Sequence, residues 1–164
     1  MKKHLLLAAF LALSFATFLA LSFATAESAN AARYINTVPD AQGNLVIDTA
    51  GITSQASFVN YAANGSTVIQ LIVVRASNGE IRTAFNTCQS CNPSPRAFFV
   101  QKGSRFVCQN CGNAFATNQI GLQKGGCNPA PVMQKQMDGN KLIIPANYLA
   151  QYAPNFKNWA GTTK

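Results

Sequence analysis

Five cysteines dominate the chemistry this sequence could do. Cys88-Gln-Ser-Cys91 and Cys108-Gln-Asn-Cys111 are two C-x-x-C pairs. Residues 92 to 107 separate them, a gap inside the window of a four-thiolate metal site. Two intervening residues let both sulfurs of a pair turn toward one ion. Gly112 follows Cys111 and suits such a knuckle because it has no Cβ, and Asn92 stands in the same place after Cys91. Four thiolates suit zinc, mononuclear iron and iron–sulfur clusters alike. The fifth, Cys127, sits in Gly125-Gly126-Cys127-Asn128-Pro129-Ala130-Pro131. It could replace one of the four, serve a second site, or pair with another thiol. Met133 and Met137 lie four apart just beyond it. With Cys127 they would make a soft site for cuprous copper, but core packing is the expectation for both.

Two other uses of the cysteines compete with metal. Structural disulfides are common in exported chains. A thioredoxin-like redox pair needs a helix running on from its second cysteine. Cys91 is followed by Asn92-Pro93-Ser94-Pro95, which cannot continue one.

Composition narrows the chemistry further. The one histidine is His4, near the start of the chain. Beyond that start no imidazole is present, which excludes Ser-His and Cys-His catalysis, Cys₂His₂ zinc and the C-x-x-C-H haem motif. The five acids (Glu27, Asp40, Asp48, Glu80, Asp138) are scattered and form no acid/base pair. An ordinary hydrolase is not expected, and nothing in the residues marks an enzyme.

The 164 residues suit one domain. Lys2 and Lys3 precede an almost wholly apolar run from Leu5 to Phe23, and Ala24-Thr25-Ala26 fits signal-peptidase cleavage. The sequence LALSFAT occurs twice, at 11–17 and 19–25, which lengthens the run toward the ~20 residues of a membrane span. Residues 1–26 are therefore expected to be a signal peptide or an uncleaved anchor. Residues 27–164 are then a single exported domain, periplasmic or on the outer face of the cytoplasmic membrane. Without Lys2 and Lys3, 11 cations face five acids, about +6. The cations form no stripe, so nucleic acid is not an expected partner.

The elements that must position the cysteines read as mainly β. Leu45-Val46-Ile47 suggests a short strand. Phe58 to Tyr61, Val68 to Val74 and Ile81 to Phe85 are separated by Asn64-Gly65 and Asn78-Gly79. Asn-Gly between apolar runs is a strong hairpin signal, so a three-stranded antiparallel meander is predicted. Its middle strand is apolar on both faces and should be central. Residues 88–131 are rich in Cys, Gly, Asn and Pro and too poor in apolar side chains to fold alone. They predict an inserted, zinc-ribbon-like metal lobe, with Phe98, Phe99 and Phe106 covering its loops. Lys141 to Ile144 predicts a strand, and Pro145 opens a short C-terminal helix over 147–152.

The run Asn78 to Cys88, the two C-x-x-C pairs, Ile120-Gly121 and Gly125 to Pro129 resemble the FtrD-like family of membrane iron–sulfur proteins. The likeness covers about residues 58–144. It implies Cys88, Cys91, Cys108, Cys111 and Cys127 as metal ligands and favours iron or an iron–sulfur cluster, while the thiolate set by itself keeps zinc second and copper possible. It implies a part in ferrous iron uptake beside a membrane iron-permease system, as electron acceptor or metal carrier. Relatives often have several membrane spans before this domain, whereas this chain has one apolar segment. Many relatives carry Asp where this chain has Asn86, so a negative charge that would help recruit iron is absent here.

Overall fold

The computed structural model describes residues 32–63 and 67–164. The apolar N-terminal segment, its sequence repeat and the Asn64-Gly65 turn lie outside the described residues. Eleven strands lie among the described residues: β1 (Arg33–Thr37), β2 (Leu45–Asp48), β3 (Ser57–Ala63), β4 (Thr67–Arg75), β5 (Ile81–Cys88), β6 (Phe99–Lys102), β7 (Arg105–Cys108), β8 (Ala114–Ala116), β9 (Pro129–Pro131), β10 (Gln136–Asp138) and β11 (Lys141–Ile144). A short helix, α1 (Ala146–Tyr152), runs into a 3₁₀ turn at Ala153–Phe156. No helix among the described residues is long and apolar enough to cross a membrane.

The predicted meander is the heart of the fold. β3, β4 and β5 pair antiparallel, with Val59 opposite Leu71 and Leu71 opposite Phe85. The β4–β5 turn closes at Asn78-Gly79, where Gly79 adopts φ +85°. β1 extends one edge of this sheet and β9 the other, in the order β1-β3-β4-β5-β9. The β1–β3 pairing is parallel, an exception to the expected antiparallel pattern.

Side-chain alternation along β4 splits the core into two layers. Ile69, Leu71 and Val73 join Phe85, Leu45, Leu142, Ile144 and Leu149, so β2, β11 and α1 cover one face. Ile72 and Val74 join Phe58, Ala84, Phe99, Phe106 and Ile120 on the other. That second layer includes Cys88 and Cys108. The cysteine lobe is therefore a covering layer of the main sheet, which supplies the apolar surface that residues 88–131 lack. On the first face Phe85 stacks on Tyr152 with ring centroids 3.9 Å apart.

The lobe's own sheet is β6-β7-β8. Phe99 and Phe106 are fully buried as expected, whereas Phe98 is half-buried and meets the edge of Trp159. Met133 and Met137 do not pack in the core as the sequence suggested. They are 55% and 48% exposed, on the short, polar connection and edge strand before β11.

One glycine fixes how the lobe meets the sheet. Gly121 has φ +73°, and a Cβ there would collide with the backbone carbonyl oxygen of Thr83. Neither the backbone angle nor the space suits a side chain. Gly121→Ala is expected to lose about 2 kcal/mol or more of stability, read by urea denaturation. An unchanged midpoint would show that the loop does not press on β5.

Candidate metal centre

Each C-x-x-C pair begins at the last residue of a strand and continues into a turn of the same build. Cys88 ends β5 and Cys108 ends β7. In the first turn the Asn92 N–H donates to Cys88 O at 3.0 Å. In the second the Gly112 N–H donates to Cys108 O at 2.9 Å. Gly112 takes φ +76°, as its place after the pair predicted. The leading cysteines are pinned alike: Cys88 N–H donates to Ala97 O and Cys108 N–H to Asn113 O, each at 2.9 Å. The pairs are thus two matching knuckles, and Gln109 N–H donating to Phe98 O at 2.8 Å helps tie the second to the first.

Cys127 reaches the knuckles through the sheet. β9 pairs with β5 so that Pro129 lies opposite Cys88. The residue two positions earlier is thereby carried to the same end of β5. Cys127 Sγ lies 3.2 Å from Cys88 Sγ and 3.9 Å from Cys91 Sγ, and Cys108 Sγ lies 3.9 Å from Cys91 Sγ. All five sulfurs lie within 4.8 Å of one another. Gln89 braces the Cys127 loop: its Oε1 accepts from Gly125 N–H at 2.8 Å, and its own N–H donates to Asn128 O at 3.1 Å. The three roles open to Cys127 in the sequence reduce to one place, beside the other four. Neither methionine is buried with the sulfurs.

All five cysteines are free thiols. The closest sulfurs are more than an ångström beyond a disulfide bond of about 2.05 Å. Cys88 and Cys108 are buried, Cys91 and Cys127 half-buried, and Cys111 exposed. The group is closed toward the core and open at Cys111.

The donor set fits a thiophilic metal. Four thiolates about 2.3 Å from a tetrahedral ion lie about 3.8 Å from one another, close to the separations seen here. Thiolates bound to different irons of a cluster spread further, to roughly 6 Å. The cage is sized for one ion and would widen to hold a cluster. Its exposed side, at Cys111, is where it can do so.

Electrostatics separates the thiols. Burial pushes the Cys108 thiol up to about 12 and raises those of Cys91 and Cys127. Cys111 is brought down to about 7, first by a hydrogen bond from the Cys127 thiol. A depressed pKa at Cys108 would suit a redox nucleophile, but the lowered thiol is Cys111, on the rim. In metal-free protein iodoacetamide should modify Cys111 at pH 7.5 at least about 100-fold faster than Cys108, by peptide mass mapping. Equal rates would show that the burial difference does not govern reactivity.

Asn86 is not a site residue. It is 2% exposed, and its carboxamide holds β6 to β5: Phe99 N–H donates to its Oδ1 at 2.7 Å, and its Nδ2 donates to Gln70 Oε1 at 2.7 Å. A charge at this position would meet the interior and not arriving iron. The asparagine is a structural link between strands.

A family profile described as membrane iron-sulfur containing protein FtrD-like matches residues 52–156. No curated protein matches the chain. Among solved structures, a naphthalene 1,2-dioxygenase mutant bound to phenanthrene is similar at 17% identity and a TM-score of 0.42. The likeness covers 66% of this chain and 27% of that one, so this chain spans about a quarter of that protein's length. The matched family segment runs from just before β3 to the end of the 3₁₀ turn and contains all five cysteines. The chain belongs to the FtrD-like family of membrane iron–sulfur containing proteins.

Proposed function

We propose that this chain is an exported metalloprotein that holds iron on its cysteine cage and serves iron uptake as an electron acceptor or iron carrier. The observation that carries the reading is the convergence of five thiols within 4.8 Å of one another. Family membership favours iron, as an ion or in a cluster. Bound iron would supply one-electron chemistry. The chain's own part is to orient the thiols from two backbone knuckles and to keep water from the Cys88 and Cys108 side with Phe99 and Phe106. The exposed side at Cys111 is the natural approach for a partner, which we take to be a membrane iron-permease system. Export rests on Lys2, Lys3, the apolar run and Ala24-Thr25-Ala26. In an oxidising compartment, bound metal would also protect the thiols.

A second reading has its own support. The cage as it stands matches one tetrahedral ion, which is equally the geometry of structural zinc. The protein would then be a binding module whose lobe is stapled to its sheet.

Metal and acid-labile sulfide per chain, measured on protein prepared without oxygen or chelators, test both. Roughly one or more iron atoms with a reversible redox response supports the proposal, and labile sulfide would identify a cluster. Roughly one zinc without redox response, from cells supplied with iron, replaces it with the stapled module. No metal, with the thiols oxidised, defeats both.

A further inference from the structure

At the other end of β5 from Cys88 lies an open cleft of about 550 Å³. Its walls include Arg75, Arg82, Thr83, Lys135, Glu80 and Gly121. That volume falls within the range of small-molecule sites. Three cations face one acid. Glu80 bonds Arg82 at 2.6 Å, so a net positive charge remains.

The cations are held differently. Arg75 donates to the backbone carbonyls of Thr49, Ile52 and Gly79 at 2.8–2.9 Å and is a fixed charge in the wall. Lys135 reaches Val132 O at 2.7 Å and has donors to spare. Its pKa is lowered by desolvation and by the nearby Arg82, a like-charge conflict that an anion would relieve.

Two buried polar atoms on this wall have no hydrogen-bond partner among the described residues: Arg82 Nε and Thr83 Oγ1. Buried polar groups are almost always satisfied, and Arg82 Nε, on the side chain whose charge Lys135 feels, is a donor left without an acceptor. A guanidinium and an ammonium are the donors that carboxylate and phosphate oxygens take. Gly121 brings the lobe hard against Thr83, which closes the cleft on that side.

We propose that this cleft binds a small multivalent oxyanion through Arg82 and Lys135. Carboxylate and phosphate groups share the required chemistry. The cleft is separate from the metal cage: Arg82 and Cys88 are six residues apart on β5, about 20 Å of extended chain. The proposal therefore stands independently of which metal the cysteines hold.

The test is isothermal titration of the metal-loaded protein with citrate and, separately, inorganic phosphate at constant ionic strength, with acetate as the monovalent control. Saturable binding below about 1 mM by citrate, phosphate or both supports the proposal, and the stronger of the two names the group recognised. Arg82→Gln and Lys135→Gln should each weaken binding at least about tenfold while metal content per chain stays unchanged. Lys135 is exposed, so its variant keeps the test open if Arg82→Gln fails to fold. No saturation by about 10 mM, an equal response to acetate, or wild-type affinity in Lys135→Gln would overturn the proposal.

Discussion

A Cys88→Ser/Cys108→Ser double variant is expected to lose at least about 100-fold in metal affinity, while Cys111→Ser stays within about tenfold of the parent. Five sulfurs converge, and a tetrahedral ion takes four. Removing Cys111, on the exposed rim, leaves four thiols, with Cys127 already 3.2 Å from Cys88. Removing both buried cysteines leaves three and puts two hydroxyls where sulfur faced Phe99 and Phe106. Structural zinc sites are worth about 10–16 kcal/mol, so one ligand of four carries roughly 3 kcal/mol, about two decades of affinity. Competition against a chromophoric chelator reads the affinity, and far-ultraviolet circular dichroism reads the fold. Should the double variant unfold, Cys91→Ser/Cys111→Ser also leaves three thiols while sparing both buried positions. Loss of affinity in Cys111→Ser equal to that in either double variant would mean that no sulfur is in excess.

The same cage fixes a sign for pH. An ion must displace the protons of Cys91, Cys108 and Cys127, whose thiols are raised by burial. Affinity should therefore climb as pH rises from 6 to 9 and fall on acidification. Cys111, brought down to about 7, contributes to that dependence only in its lower part.

The sequence carried the site further than it carried the frame around it. C-x-x-C spacing is local, so the two knuckles and the glycine after Cys111 could be read directly. So could β3–β5, because two Asn-Gly dipeptides separate three apolar runs. The place of Cys127 depends on β9, and Pro129-Ala130-Pro131 reads as loop. Proline is tolerated there because β9 is an edge strand and need not donate on its outer side. β1 was equally hidden, since its parallel pairing with β3 is non-local and leaves no hairpin signal. Met133 and Met137 misled because side-chain type suggests burial, while their positions in short segments beside an edge strand leave them in solvent.

The buried amides were the deepest omission, and they carry the other large expected effect. Asn86→Asp should destabilise the fold by about 3 kcal/mol at pH 8, lowering Tm by about 10 °C. Gln70 Nε2 donates to Asn60 Oδ1 at 2.7 Å and to Thr162 O at 2.8 Å, and Asn60 Nδ2 donates to Thr163 O at 2.9 Å. Asn86 continues this chain to Gln70 Oε1 and to Phe99 O at 3.2 Å, while Trp159 Nε1 donates to Asn86 O at 2.8 Å. The network ties sheet, metal lobe and C-terminal segment together, and its amides are 5% exposed or less. An aspartate keeps the acceptor for Phe99 N–H but has no amide protons for Gln70 Oε1 and Phe99 O. Two buried acceptors lose their donor, and a carboxylate is left in their place. Burial would raise that carboxyl's pKa above its unfolded value of about 3.9. The charge penalty is therefore absent below the unfolded pKa and grows as pH rises through the folded one. Thermal unfolding at pH 4 and pH 8 should show the variant closer to its parent at pH 4. If Asn86→Asp matches its parent in Tm at both pH values but changes metal affinity, the side chain acts on the cage and not as a strut between β5 and β6.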